Sequence, residues 1–182
     1  MKPHLAMVPA AVERLPSPAG PLDLEQAFAL YSRYVAGLAL RLLGRYDEVD
    51  DVVQDVFLAA FRGLKRLREP QAIKGWLATV TVRVARRRLR LRRLWRFCGV
   101  DEPGASAELV VSDATPEDRA TVARLYAVLD ELPAAERLAW SLRHLEGERL
   151  EQVAVQCGCS LATAKRRIAA AQGAITKAVS DD

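Results

Sequence analysis

Leu150-Glu-Gln-Val-Ala-Val-Gln-Cys-Gly158-Cys-Ser-Leu-Ala-Thr-Ala-Lys-Arg-Arg-Ile168 reads as two helical patterns hinged on a glycine. Leu150, Val153, Ala154 and Cys157 recur at the i, i+3, i+4, i+7 spacing of a short amphipathic helix, and a longer one runs from Leu161 to about Ala178. Between them Gly158-Cys-Ser160 forms a tight turn, because glycine adopts the left-handed backbone that ends a helix. A short helix, a glycine turn and a second helix carrying Thr163, Lys165, Arg166 and Arg167 near its start is the helix-turn-helix layout. Its second helix enters the major groove of DNA, where such side chains reach base edges. The stretch predicts an all-α fold.

Upstream, Thr115-Pro-Glu-Asp118 is a helix start, with Thr115 as N-cap, Pro116 in the first helical position and acids in the first turn. Val122, Leu125, Tyr126, Leu129 and Leu132 give that helix its buried face; Pro133 opens another, with Leu138, Leu142 and Leu145 inward and Gly147 as its stop. Residues 115–182 therefore form one small helical domain. Residues 98–114 mix Gly, Pro, Ser and Asp without apolar periodicity and are expected to be a flexible linker. At about 3.3 Å per residue such a linker reaches roughly 55 Å, enough for a two-site reader of DNA.

The other unit, residues 22–97, is expected to be a three-helix bundle. Asp23 caps a helix with Gln26 three residues on, and Phe28, Tyr31, Val35, Leu38 and Leu42 recur until Gly44. From Asp47 to about Leu67, Val49, Val52, Val53, Val56, Phe57, Ala60 and Leu64 make an apolar face, with Asp47, Glu48, Asp50, Asp51 and Asp55 gathered near its start. Those acids suit a helix N-terminus, and they equally suit a binding face. Pro70 and Gly75 interrupt the pattern before Trp76 opens a basic helix. Between Pro70 and Val100 there is no acidic residue, and Arg83, Arg86, Arg87, Arg90 and Arg93 form one stripe beside Leu77, Val80, Val84, Leu91 and Trp95. Like charges at i, i+4 repel, so the stripe is expected to meet phosphate. Residues 1–21 hold five prolines and are expected to be a disordered tail.

Composition bounds the rest. The 182 residues are 51% hydrophobic with a net charge of +4, enough for two small cores and segregated into acidic and basic faces. Three cysteines, two of them in Cys157-Gly-Cys159, give neither a disulfide framework nor a zinc pattern, and a reducing compartment fits. His4 and His144 lack the neighbours of a catalytic set. No apolar run approaches a membrane span, and the start lacks a signal-peptide core, so a soluble protein that is not exported is expected.

Two separated segments then resemble the extracytoplasmic-function group of bacterial sigma factors. Glu48-Val-Asp-Asp-Val-Val-Gln-Asp-Val-Phe57, followed by Trp76-Leu-Ala-Thr-Val and the arginine run, resembles sigma region 2. Leu132-Pro-Ala-Ala-Glu-Arg137, Leu145-Glu-Gly147, Leu150-Glu-Gln-Val-Ala154 and Ala162-Thr-Ala-Lys-Arg-Arg-Ile168 resemble region 4. The resemblance implies an alternative sigma factor, not an enzyme and without cofactor or metal, that binds core RNA polymerase at the beta-prime clamp and beta flap. It implies a cytoplasmic, nucleoid-associated protein, and an anti-sigma factor is a frequent partner in the family. By residue, it implies polymerase docking through Asp50, Asp51, Gln54 and Asp55. Minus-10 DNA would meet Lys74, Trp76, Arg83, Arg86, Arg87 and Arg90, with Trp76 either holding an unstacked base or packing between helices. Minus-35 DNA would meet Thr163, Lys165, Arg166 and Arg167. Two departures from the family bear on promoter choice: Val82-Arg83 stands where relatives carry Ala-Arg-Asn, and Ala169-Ala-Ala171 follows the basic cluster of the recognition helix. The competing reading is a dimeric helix-turn-helix repressor or activator that acts without polymerase.

Overall fold

The computed structural model describes residues 22–67, 69–99 and 115–180, which carry seven α-helices. The first unit comprises α1 (Leu24–Leu43), α2 (Val49–Gly63) and α3 (Ile73–Phe97), with two short 3-10 turns, Leu64–Arg66 and Pro70–Ala72, between α2 and α3. The second comprises α4 (Pro116–Glu131), α5 (Ala134–His144), α6 (Leu150–Cys157) and α7 (Leu161–Ser180). The expected tail and most of the linker lie outside the described residues.

The helix ends follow the local chemistry of the sequence. Asp23 closes a capping box with Gln26, and Thr115 closes one with Asp118 ahead of Pro116. Each satisfies N–H groups that a helix start leaves without partners. Gly44 and Gly158 end α1 and α6 in the left-handed region, at φ 68° and 60°. At Gly44 a second constraint applies, because a Cβ there would lie 2.2 Å from the Tyr126 ring.

In the first unit Tyr31, Val35, Leu38 and Leu42 of α1 meet Val52, Val56, Phe57 and Ala60 of α2 and Leu77, Val82 and Ala85 of α3, all buried. Leu91 and Trp95, expected on the inner stripe of α3, are exposed instead. In the second half of α3 the buried positions are Val82, Ala85 and Leu89, which leaves Leu91 on another side of the helix even though Arg92 beside it still reaches Glu48 at the start of α2. The second unit has a core of Tyr126, Leu129, Trp140, Leu145, Ala171 and Ile175.

The two units also pack on each other. Leu138, Ala139 and Leu142 of α5, with Val153, Ala154 and Cys157 of α6, join the same buried cluster as α1 to α3. Helices α3 and α6 are in contact, and the buried cluster they share includes the small side chains Ala78, Ala85, Ala154 and Cys157. Polar contacts ring it. Arg41 pairs with Glu146, its Nη2 at 3.0 Å from a carboxylate oxygen, and Arg86 donates to the Cys157 carbonyl at 2.6 Å.

Candidate nucleic-acid interface and docking face

The arginines of α3 separate into two sets by direction. Arg88, Arg92 and Arg96, four apart, face protein. Arg88 reaches Asp55 at 3.0 Å and Asp51 at 3.6 Å, Arg92 pairs with Glu48, and Arg96 meets Glu131 at 3.2 Å and the Asp130 carbonyl at 2.7 Å. Burial pulls the Arg92 guanidinium below its ordinary range, opposed by the charge of Glu48. Arg83, Arg87, Arg90 and Arg93 are exposed and make no ion pair among the described residues. Arg86 lies between the sets, half-buried against α6.

Sequence reasoning assumed that the arginine run had no acidic partners, and it missed this ladder. Its signal was in the spacing: Glu48, Asp51 and Asp55 recur at i, i+3, i+7 on one face of α2, opposite the period-four set Arg88 and Arg92 on an antiparallel neighbour. Neutralising one face leaves the remaining arginines as a narrower, purely cationic strip.

At the start of α3, Lys74 is half-buried with its Nζ 5.1 Å from the centre of the Tyr34 ring, a cation–π contact. Trp76 is half-buried, with its indole edge so close to Gly63 that a Cβ there would lie 2.5 Å from it. Trp76 thus packs at the end of α2 while bordering the loop before α3.

Asp50, Asp51, Gln54 and Asp55 are all exposed on α2, on two flanks. Asp51 and Asp55 turn toward Arg88, whereas Asp50 and Gln54 line an open groove between α1 and α2. That groove, about 770 Å³, is floored by Val53 and Phe57 and walled by Phe28, Leu58 and Phe61. Phe28, placed on the inner face from its spacing, is 48% exposed and meets Phe57 edge to face at 4.9 Å. Phe61 is 62% exposed, so an apolar surface with an acidic rim faces solvent.

The recognition helix α7 starts from Ser160, whose hydroxyl accepts the Thr163 N–H at 3.2 Å and lies 2.9 Å from the Thr163 hydroxyl. Thr163 is therefore half-buried and committed to the cap. Lys165 and Arg166 are exposed on the first turns and Arg167 is half-buried, while Ala164, Ala171 and Ile175 face inward. Cys157 is buried, its thiol pushed up by burial, and no cluster of potential metal ligands occurs among the described residues. No described helix is long and apolar enough to cross a membrane.

Comparison with known proteins assigns both halves. Residues 27–96 match sigma-70 region 2 and residues 123–171 match sigma-70 region 4. The RNA polymerase sigma-H factor of Pseudomonas aeruginosa is 30% identical over 159 residues, covering 82% of each chain. The chain belongs to the extracytoplasmic-function sigma factors. The sigma-E factor of Escherichia coli K12 matches to the same extent, 30% over 159 residues and 82% of each chain. Among solved structures, the sigma factor RpoE of Bartonella quintana, in complex with the anti-sigma factor NepR, superposes with a TM-score of 0.64 at 23% identity, over 88% of this chain and 98% of that one. CnrH, in complex with the cytosolic domain of CnrY, superposes with a TM-score of 0.60 at 24% identity, over 87% and 88%. Those two share the fold. As a sigma factor the chain binds core RNA polymerase and directs it to promoter DNA, and nothing in the comparisons supports a dimeric repressor acting without polymerase.

Proposed function

We propose that the groove between α1 and α2, rather than the acidic residues alone, is the polymerase-docking face of this sigma factor. Asp50 and Gln54 form its polar rim, and Phe28, Leu58 and Phe61 supply apolar area that a helical clamp element would cover. Asp51 and Asp55 contribute less directly, because Arg88 already shares their charge. Minus-10 DNA then lies along Arg83, Arg87 and Arg90, with Lys74 and Trp76 at the end where strands separate and Arg86 joining once α6 moves off it. Lys165 and Arg166 read minus-35 base edges, while Thr163 and Arg167 anchor the helix. In this reading the protein has no catalytic residue and works in the cytoplasm on the nucleoid. An anti-sigma factor, the kind of partner with which the Bartonella quintana neighbour was solved, would compete for the same groove.

The observation that carries this reading is the segregation on adjacent helices: an apolar, acid-rimmed groove on one side of the first unit and an unneutralised arginine strip on another. The test is promoter binding by the complex with core polymerase. Lys165→Ala and Arg166→Ala should each cost roughly 1–3 kcal/mol on the preferred minus-35 sequence and much less on a scrambled one. Equal losses on both would make these residues backbone anchors.

A further inference from the structure

The last turns of α3 carry an apolar strip on the side turned away from the core. The buried positions in the second half of the helix are Val82, Ala85 and Leu89. Leu91, Leu94 and Cys98 follow one another at i, i+3 and i+7, about half a turn around the helix from that buried line. All three are exposed, Leu94 by 55%, and Trp95 and the 89% exposed Phe97 widen the strip on its two sides. The inward side of the same turns is fixed, because Arg92 pairs with Glu48 and Arg96 donates to the Asp130 carbonyl at 2.7 Å. The strip is therefore held outward.

Its surroundings are cationic. Arg83 and Arg87 continue the same line toward the helix start, and Arg90 and Arg93 run beside it, all exposed and without an ion pair among the described residues. Promoter phosphate accounts for the arginines and not for the strip, since the duplex backbone takes hydrogen bonds from cations and offers no apolar surface to large side chains. A second copy of the chain would bring arginine against arginine, which repels. Exposed leucines with a Trp and a Phe, edged by arginines in a stretch without an acidic residue, match an anionic lipid surface instead. Headgroup phosphate suits the guanidinium groups, and the boundary of the acyl chains suits the apolar side chains. The strip is also a ridge on one helix and not a groove, a shape that a deformable surface accepts without a pocket.

We propose that the end of α3 is a membrane-surface anchor: Leu91, Leu94, Trp95 and Phe97 enter the interface of an anionic bilayer while the arginines beside them hold its headgroup phosphates. The contact lies on the bilayer and does not cross it, in keeping with the absence of any described helix long and apolar enough to span one. With so few inserted side chains it is reversible. Bound there, the chain cannot offer Arg87 and Arg90 to promoter DNA, so lipid and DNA exclude each other; this last step rests on the minus-10 reading above.

The test is flotation of the full chain with vesicles of mixed phosphatidylcholine and phosphatidylglycerol, against vesicles of phosphatidylcholine alone. The chain should float with the anionic vesicles and stay behind with the neutral ones. Leu91→Ser with Leu94→Ser changes two exposed positions outside the DNA and polymerase sites. That variant should keep its helicity and its affinity for a DNA duplex, and weaken vesicle binding about tenfold. A polarity-sensitive dye on the exposed Cys98, in a Cys159→Ser background, should shift to the blue on anionic vesicles. Failure to float with anionic vesicles, equal binding to neutral ones, or a folded double variant that floats like the parent overturns the anchor. So does a Cys98 dye that shifts with core polymerase and not with lipid, which gives the strip to a protein partner. If the variant loses vesicle binding as expected but excess duplex does not displace the parent chain, the anchor stands and the minus-10 assignment of the arginines fails.

Discussion

Replacing Arg90 by Ala should change how salt affects promoter binding, and replacing Arg92 should not. Both sit on the basic helix two residues apart. Arg90 is exposed, while Arg92 is turned inward to Glu48 and the Leu43 carbonyl. Each phosphate contact releases counterions and adds about 0.9 to the slope of log affinity against log salt. Arg83, Arg87, Arg90 and Arg93 together therefore account for a slope of up to about 3.6. Losing Arg90 should flatten the slope by about 0.9, which between 50 and 200 mM salt amounts to roughly a 3.5-fold smaller change in affinity. Arg92→Ala should leave the slope unchanged and lower folding stability instead, since Glu48 loses one of its two arginine partners and the Leu43 carbonyl one of its two donors. The assay is fluorescence anisotropy of a promoter fragment with the sigma factor bound to core polymerase, titrated over salt, beside chemical unfolding of each variant. Equal slope changes for Arg90→Ala and Arg92→Ala would refute the division of the helix into a DNA face and a protein face.

Other expectations follow from single contacts. Phe61→Ser with Asp50→Arg should weaken core polymerase binding at least tenfold without unfolding the chain, because both positions are exposed on the groove; unchanged co-purification would count against it. Gly44→Ala should destabilise by about 2–4 kcal/mol in chemical denaturation, from left-handed backbone strain plus the clash with the Tyr126 ring. Burial first, with the nearby Glu146 and Asp130 adding to it and Arg137 and Arg41 opposing, pushes the Tyr126 hydroxyl up to about 12. The folded state thus holds a proton that the unfolded state releases near pH 10, so this contribution is complete below pH ~10 and lost as pH rises toward ~12. Tyr126→Phe should flatten the stability profile in that window.

Much of the architecture was legible because it is written in local chemistry. Asp23 and Thr115 are caps whose partners lie three residues away, and the turn at Gly158 needs only its own backbone. Tyr31, Val35, Leu38 and Leu42 declare a face by period alone. What periodicity cannot show is which of two adjoining stripes a neighbour covers. Leu91 and Trp95 have the spacing of core residues and lie exposed, because the buried stripe in the second half of α3 runs through Val82, Ala85 and Leu89. Phe28 is likewise on the correct side of α1 yet opens into the groove. Pairing between distant segments was also out of reach: Arg137 stands in sequence as one more charged helix residue, and only the folded chain brings it to the carbonyls of Leu42 and Leu43. For the candidate site, the same limit explains why Arg86 looked equivalent to Arg87 and Arg90. Its partner, the Cys157 carbonyl, lies far away along the chain.

The most direct test of the central claim is reconstituted transcription from a promoter library, using core polymerase with and without this protein and mapping the start sites. Start sites should appear only when the protein is present, at a small set of templates sharing one minus-10 and one minus-35 sequence, and should vanish with the groove variant Phe61→Ser/Asp50→Arg. Core polymerase that initiates at the same places without the protein, or a folded groove variant that supports full initiation, would contradict the account.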